Sequence, residues 1–137
     1  MFLCNCQKKY SKNLSFEGDR LYAVGQGGFA ARTDVIILDI GTDPANPVLL
    51  GQPLLTNIVS NIFNGYVHDI HVKDNIGYCS HINDSVFALW DFSNPTNPVL
   101  LDAIDTRGLQ HSSWLTKDGR YAIYAEETSN TPLGVVD

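Results

Sequence analysis

An internal repeat constrains this chain more than any other feature. Val35-Ile36-Ile37-Leu38-Asp39-Ile40, followed by Asp43-Pro44-Ala45-Asn46-Pro47-Val48-Leu49-Leu50, is one phrase. It returns as Val86-Phe87-Ala88-Leu89-Trp90-Asp91-Phe92, followed by Asn94-Pro95-Thr96-Asn97-Pro98-Val99-Leu100-Leu101. A second phrase is interleaved with it: His68-Asp69-Ile70-His71-Val72 leads to Tyr78, and His111-Ser112-Ser113-Trp114-Leu115 leads to Tyr121, with Tyr ten residues after His both times. A degenerate earlier copy runs from Asn13-Leu14-Ser15-Phe16 to Arg20-Leu21-Tyr22. A unit of this size cannot bury its apolar face alone, so repetition demands stacking.

Each unit reads as four short strands. Residues 68–72 and 76–82 form two strands around a tight Lys73-Asp74-Asn75 turn, because Asp and Asn tolerate turn geometry. Residues 86–92 form a third strand, stopped by Ser93-Asn94-Pro95, where proline cannot continue a ladder, and residues 99–104 form the fourth. Units of 43 to 56 residues, each a four-stranded meander, predict an all-β fold of β-propeller blades. The blades span about 12–57, 68–106 and 111–137, and residues 1–11 fall outside the repeat, where poor packing is expected. The third blade stops with its third strand cut short and its fourth absent. The expectation is a fragment of a longer propeller, or self-association that completes a ring.

Composition narrows the partners. Nine basic against fifteen acidic residues give a net charge of −6, which argues against nucleic acid as a ligand. No apolar run approaches the roughly 20 residues of a membrane helix, and the opening Met1-Phe2-Leu3 is too short for a signal-peptide core. Three cysteines make no disulfide framework: Cys4 and Cys6 form a lone pair without a second pair to complete a zinc site, and Cys79 reads as a small buried hydrophobe. The Gly25-Gln26-Gly27-Gly28 stretch lacks the helix, Lys and Ser/Thr of a phosphate cradle and reads as a strand connection.

The stretch His111-Ser112-Ser113-Trp114-Leu115-Thr116-Lys117-Asp118-Gly119-Arg120-Tyr121 through Glu126-Glu127, together with residues 67–72 and the two Asn-Pro-Val-Leu-Leu phrases quoted above, resembles the LVIVD-repeat, choice-of-anchor B family. The resemblance covers about residues 12–137. It implies a β-propeller of an extracellular, mostly bacterial protein, secreted or held at the cell surface, in a family whose members carry different C-terminal anchors and have no established general activity. The chain departs from the pattern at Lys12 and Asn13, which stand where the second blade has His68 and Asp69, and at Gly41-Thr42, which lengthens one turn by a residue.

Propeller topology gathers candidate site residues. The first strand of each blade lines the channel, and the end of the second returns to the face where the first begins. His68, Asp69 and His111 are therefore expected at the channel mouth, with His81, Asn83 and Asp84 above them and Glu126 and Glu127 as the third-blade equivalents. Imidazoles and carboxylates are ligands for a divalent metal and groups for acid–base chemistry. They equally serve as hydrogen-bonding groups between blades, and both readings stand at this point. His71 alternates away from His68 and reads as packing, as do Trp114, Tyr22, Tyr78 and Tyr121; Asp39 and Asp91 are expected to fix the turns that follow them. No serine stands with a base and a strained elbow, so a hydrolase triad has no support. Two functions follow: an extracellular module that binds a protein or glycan, or a metal-dependent enzyme built on the mouth histidines and carboxylates.

Overall fold

The computed structural model of the chain describes residues 13–26, 33–55, 65–128 and 130–137. Among the described residues, eleven strands form three antiparallel sheets. The first is β1 (Asn13–Glu17), β2 (Arg20–Gln26), β3 (Thr33–Asp39) and β4 (Val48–Gly51), hydrogen-bonded in that order. The second is β5 (Asp69–Lys73), β6 (Ile76–His81), β7 (Val86–Asp91) and β8 (Val99–Asp105), again in sequential order. The third has β9 (Gln110–Leu115), β10 (Ala122–Glu126) and β11 (Gly134–Val136). A 3-10 turn at Ile82–Asp84 ends the sixth strand one residue earlier than its sequence predicts. The expected disorder of residues 1–11, Cys4, Cys6 and the Gly27-Gly28 part of the glycine stretch lie outside the described residues.

Local chemistry sets these boundaries. Asp74 and Asn75 both take positive φ, at 55° and 62°, which is the two-residue hairpin geometry that leaves Lys73 paired with Ile76. At the exit of β3 and β7 the Asp39 and Asp91 carboxylates accept the N–H groups of Gly41 at 2.8 Å and Ser93 at 2.7 Å. Those turns are thus fixed by side chains, as the repeated aspartates predict. The Ser93 side chain, and after it the Ser93 N–H, hold the Asp91 carboxyl below the usual carboxylate range. Both ladders also carry a register shift one step before that aspartate, between Ile37 and Leu38 and between Leu89 and Trp90. The repeat in sequence is a repeat in irregularity too.

Two apolar layers hold the sheets together. Tyr22, Val24, Val35 and Ile37 of the first sheet meet Ile70, Val72, Ala88 and Trp90 of the second. Phe87 of the second sheet meets Leu115 and Ala122 of the third, and its ring stacks on Tyr124 at 5.6 Å. Tyr22, Phe87, Trp90 and Phe92 are completely buried, each worth about 2 kcal/mol or more of hydrophobic transfer. Gly77 is required here: a β-carbon would run into the Phe92 ring.

The first strand of every sheet lies at a sheet edge, and β5 touches both β1 and β9. Successive first strands therefore stand side by side while the later strands fan outward. That is the arrangement of propeller blades around an axis.

Candidate functional site

The mouth of this array is built at the starts of the first strands. His68 enters β5 with its N–H on the Ser80 carbonyl at 2.8 Å and its side chain 8% exposed. Its ring reaches the next blade: Nδ1 lies 3.1 Å from the His111 carbonyl oxygen, and the two imidazole centroids are 4.4 Å apart. A carbonyl only accepts, so Nδ1 carries the proton and Nε2 presents its lone pair. One blade back, the Asn13 side-chain amide donates to the His68 carbonyl at 3.0 Å. Both bonds end on the carbonyl of the same strand-start position, although Asn13 itself stands where the second blade has Asp69.

Around the pair, Asp69 accepts the Ser113 backbone N–H at 3.3 Å, and the Glu127 carboxylate lies 4.0 Å from His111 Nε2. Both side chains of that last contact are well exposed, so its electrostatic worth is small. A register shift between Ala125 and Glu126 ends the regular pairing of β10 with β9. The Glu127 N–H then bonds the Leu109 carbonyl at 2.8 Å. His68 and His111 are thus ring to ring with Glu127 beside His111, while Asp69 bonds the Ser113 main chain and acts on His71.

The other candidates have different surroundings. His81 is expected beside the pair, but strand alternation turns its ring into the layer shared with the first sheet, where it is fully buried. Its Nε2 accepts the indole N–H of Trp90 at 3.3 Å, and burial pushes its pKa down to about 4. Asp84 accepts the Gly65 N–H at 3.0 Å and serves the segment that enters β5. Glu126 faces Gly108, where a β-carbon would collide with its carboxylate, and accepts the Thr128 hydroxyl at 3.4 Å. Among the described residues, no three His, Cys, Asp or Glu side chains are grouped so as to hold a metal ion.

Trp114 is a further correction. Instead of filling a blade-to-blade core it is 68% exposed, with one side of its ring at 4.3 Å from His71. Its strand position points it to the face of the third sheet that no described residue covers. Burial lowers the pKa of His71, which fits its expected packing role.

Sequence reasoning missed Gln110. It is fully buried between the second and third sheets, where its amide donates to the Ser80 hydroxyl at 3.1 Å and the Ser112 carbonyl at 3.4 Å. Nothing in the sequence marks it, because its burial depends on Ser80 of the preceding blade. Ser15 plays a similar part between the first two sheets, its hydroxyl accepting the Val72 N–H at 2.9 Å.

With this geometry in hand, comparison with known proteins supports a class and no more. No family model matches the chain, and no curated protein matches it. Among solved structures it is similar to the crystal structure of a protein from Lactobacillus plantarum determined as a structural genomics target, with a TM-score of 0.61 and 12% sequence identity. The match covers 91% of this chain and 40% of that one, so the chain spans well under half the length of its structural neighbour. At that identity the likeness is one of fold. The class is all-β, with sheets arranged as propeller blades. No helix among the described residues is long and apolar enough to cross a membrane.

Proposed function

We propose that this chain is a binding and interaction module of the LVIVD-repeat type, displayed outside the cell, which offers its blade loops and channel mouth to a protein or glycan. One observation carries the reading. The polar groups at the mouth are spent on bonds between blades, Asn13 to the His68 carbonyl and His68 to the His111 carbonyl, so they build a rigid rim rather than a reaction centre. The secreted or cell-surface location rests on the family resemblance of residues 12–137. Screening the chain against glycan and peptide arrays, followed by calorimetry, tests this. Saturable binding that survives a chelator supports the module. Absence of any saturable ligand, or a turnover activity that a chelator abolishes, overturns it.

A second reading has its own support. Because His68 donates through Nδ1, its Nε2 lone pair is directed as in metal-bound histidines, with the His111 ring beside it and Glu127 within 4.0 Å of His111. The two imidazoles would be the ligands offered to a divalent cation at the rim, with no third His, Cys, Asp or Glu among the described residues grouped to complete the set. Elemental analysis of wild type against a His68→Ala/His111→Ala variant decides it. Stoichiometric metal lost in the folded variant supports the site, and equal trace content in both refutes it.

A further inference from the structure

We infer that acid opens the channel mouth, because charging the buried His81 ring frees residues 65–68, the segment that carries His68 into place. Only the use of such an opening, the release of a bound partner in acid surroundings, rests on the reading of the mouth as a binding site. The opening itself rests on how this short segment is held.

Its bonds are isolated ones, and they reach all three sheets. The Val67 carbonyl accepts the N–H of Gly25 in the first sheet at 2.9 Å, and the His68 N–H donates to the Ser80 carbonyl of the second at 2.8 Å. The His68 ring reaches the His111 carbonyl of the third at 3.1 Å, and the Asn13 amide donates back to the His68 carbonyl at 3.0 Å. The start of the segment is fastened at Gly65, whose N–H donates to the Asp84 carboxylate at 3.0 Å. Tyr66, Val67 and His68 are buried, so the segment is also a cover. Val67 belongs to the apolar layer that receives His81, and the chain passes Ser80, the residue before that histidine.

His81 is coupled to the Gly65 fastening. It caps the 3-10 turn that Asp84 ends, three residues on, and side chains three apart on such a turn eclipse. Asp84 is the charged group that acts on the ring, and Trp90 reaches it from β7. The other titratable side chains of the layer are Cys79 on its own strand and Tyr22 of the first sheet, while His68 stands on the segment itself. A charged ring breaks the Trp90 bond and demands water or the Asp84 carboxylate. Its own strand cannot move to supply them, since β6 and β7 are joined by a continuous ladder. The far end of the turn is locked too: the Ser85 carbonyl accepts both the N–H and the hydroxyl of Thr106 at 2.9 Å. The segment held by isolated bonds is the part that gives, and an Asp84 carboxylate turned to the imidazolium deserts Gly65.

Hydrogen exchange read by NMR on the 137-residue chain tests this without a ligand. A ring that titrates at about 4 while buried and near 6.5 once hydrated makes the opening about twentyfold more frequent at pH 5 than at pH 7. The amides of Gly25, Gly65 and His68 should lose protection by that factor, through an opening that dilute urea leaves unchanged because it exposes little surface. The amide of Phe92, a completely buried residue, is the reference for global unfolding and should follow urea. His81→Leu and His81→Gln, the second still offering Trp90 an acceptor, should each make the protection of the three amides flat in pH, with circular dichroism confirming the fold. If the three amides follow urea as Phe92 does, the opening is global and the inference is overturned. Protection that stays flat in the wild type overturns it, as does a loss that persists in a folded variant. A failure to find any ligand on the arrays defeats the reading of the mouth and leaves these exchange rates untouched, so the two fail separately.

Discussion

Acid should weaken this fold most through one residue, His81, whose pKa is depressed furthest by burial. Its ring is fully buried, its Nε2 is occupied as acceptor of the Trp90 indole N–H, and Nδ1 carries the proton without a hydrogen-bond partner among the described residues. Charging the ring means placing a proton on Nε2, which breaks the Trp90 bond and leaves a cation in the apolar layer, with only Asp84 exerting an opposing pull. Its folded-state pKa of about 4 lies below the unfolded value near 6.5. The unfolded chain therefore binds more protons between those values, so stability is complete above pH 6.5 and falls as pH is lowered toward 4. At about 1.4 kcal/mol per unit, the loss reaches roughly 3 kcal/mol by pH 4. Urea unfolding at a series of pH values from 7 to 4 measures it, with His81→Leu as reference. That variant lacks the Trp90 acceptor at every pH, so its constant cost cancels and the difference in slope isolates the imidazole, while the carboxylates contribute alike to both. Parallel slopes in the two proteins, or an imidazole resonance of His81 titrating near 6.5, would refute the reasoning.

Two further outcomes follow from the same layer. Gly77→Ala should destabilise the chain by about 1–3 kcal/mol in denaturant titration, because the added carbon meets a Phe92 ring that is itself fully buried and has nowhere to move; an unchanged midpoint would show that the two strands relax apart. Trp90→Phe removes the donor to His81 and part of a buried ring, so it should cost about 2 kcal/mol at pH 7 and also raise the His81 pKa, shrinking the acid-dependent loss. Calorimetry at pH 7 and pH 5 reads both effects.

The second sheet was legible almost residue by residue. Sequence places its strands at 68–72, 76–82, 86–92 and 99–104, and the structure has Asp69–Lys73, Ile76–His81, Val86–Asp91 and Val99–Asp105. Local chemistry carries that information: an Asp-Asn pair that accepts positive φ, prolines that stop ladders, and aspartates that cap the turns. Facing is harder, because it depends on what the neighbouring sheet presents. His81 carried a usable signal, since it lies two residues after Cys79 and period-2 alternation puts both on the buried face. Trp114 carried a misleading one. Its ring has the size of a core residue, and only the three-dimensional neighbours reveal that its face is open. The pairing of His68 with His111 followed from the repeat, but the bond from ring to carbonyl did not, because a sequence holds no record of main-chain positions.

Two side-chain bonds at the strand starts run forward. Asn13 gives to the carbonyl of residue 68 and His68 to the carbonyl of residue 111, so each of these two donors finds its acceptor in the unit that follows, while the Ser113 N–H reaches back to Asp69. The acceptors are one repeat position, residues 68 and 111, whereas the donors are not, since Asn13 stands where the second blade has Asp69; a copied unit thus keeps its acceptor and must refit its donor. A lone unit, by contrast, carries an idle donor and an idle acceptor at its inner edge. Selection for a satisfied rim therefore acts on the donor of each added unit, the position that a lengthening chain has to correct.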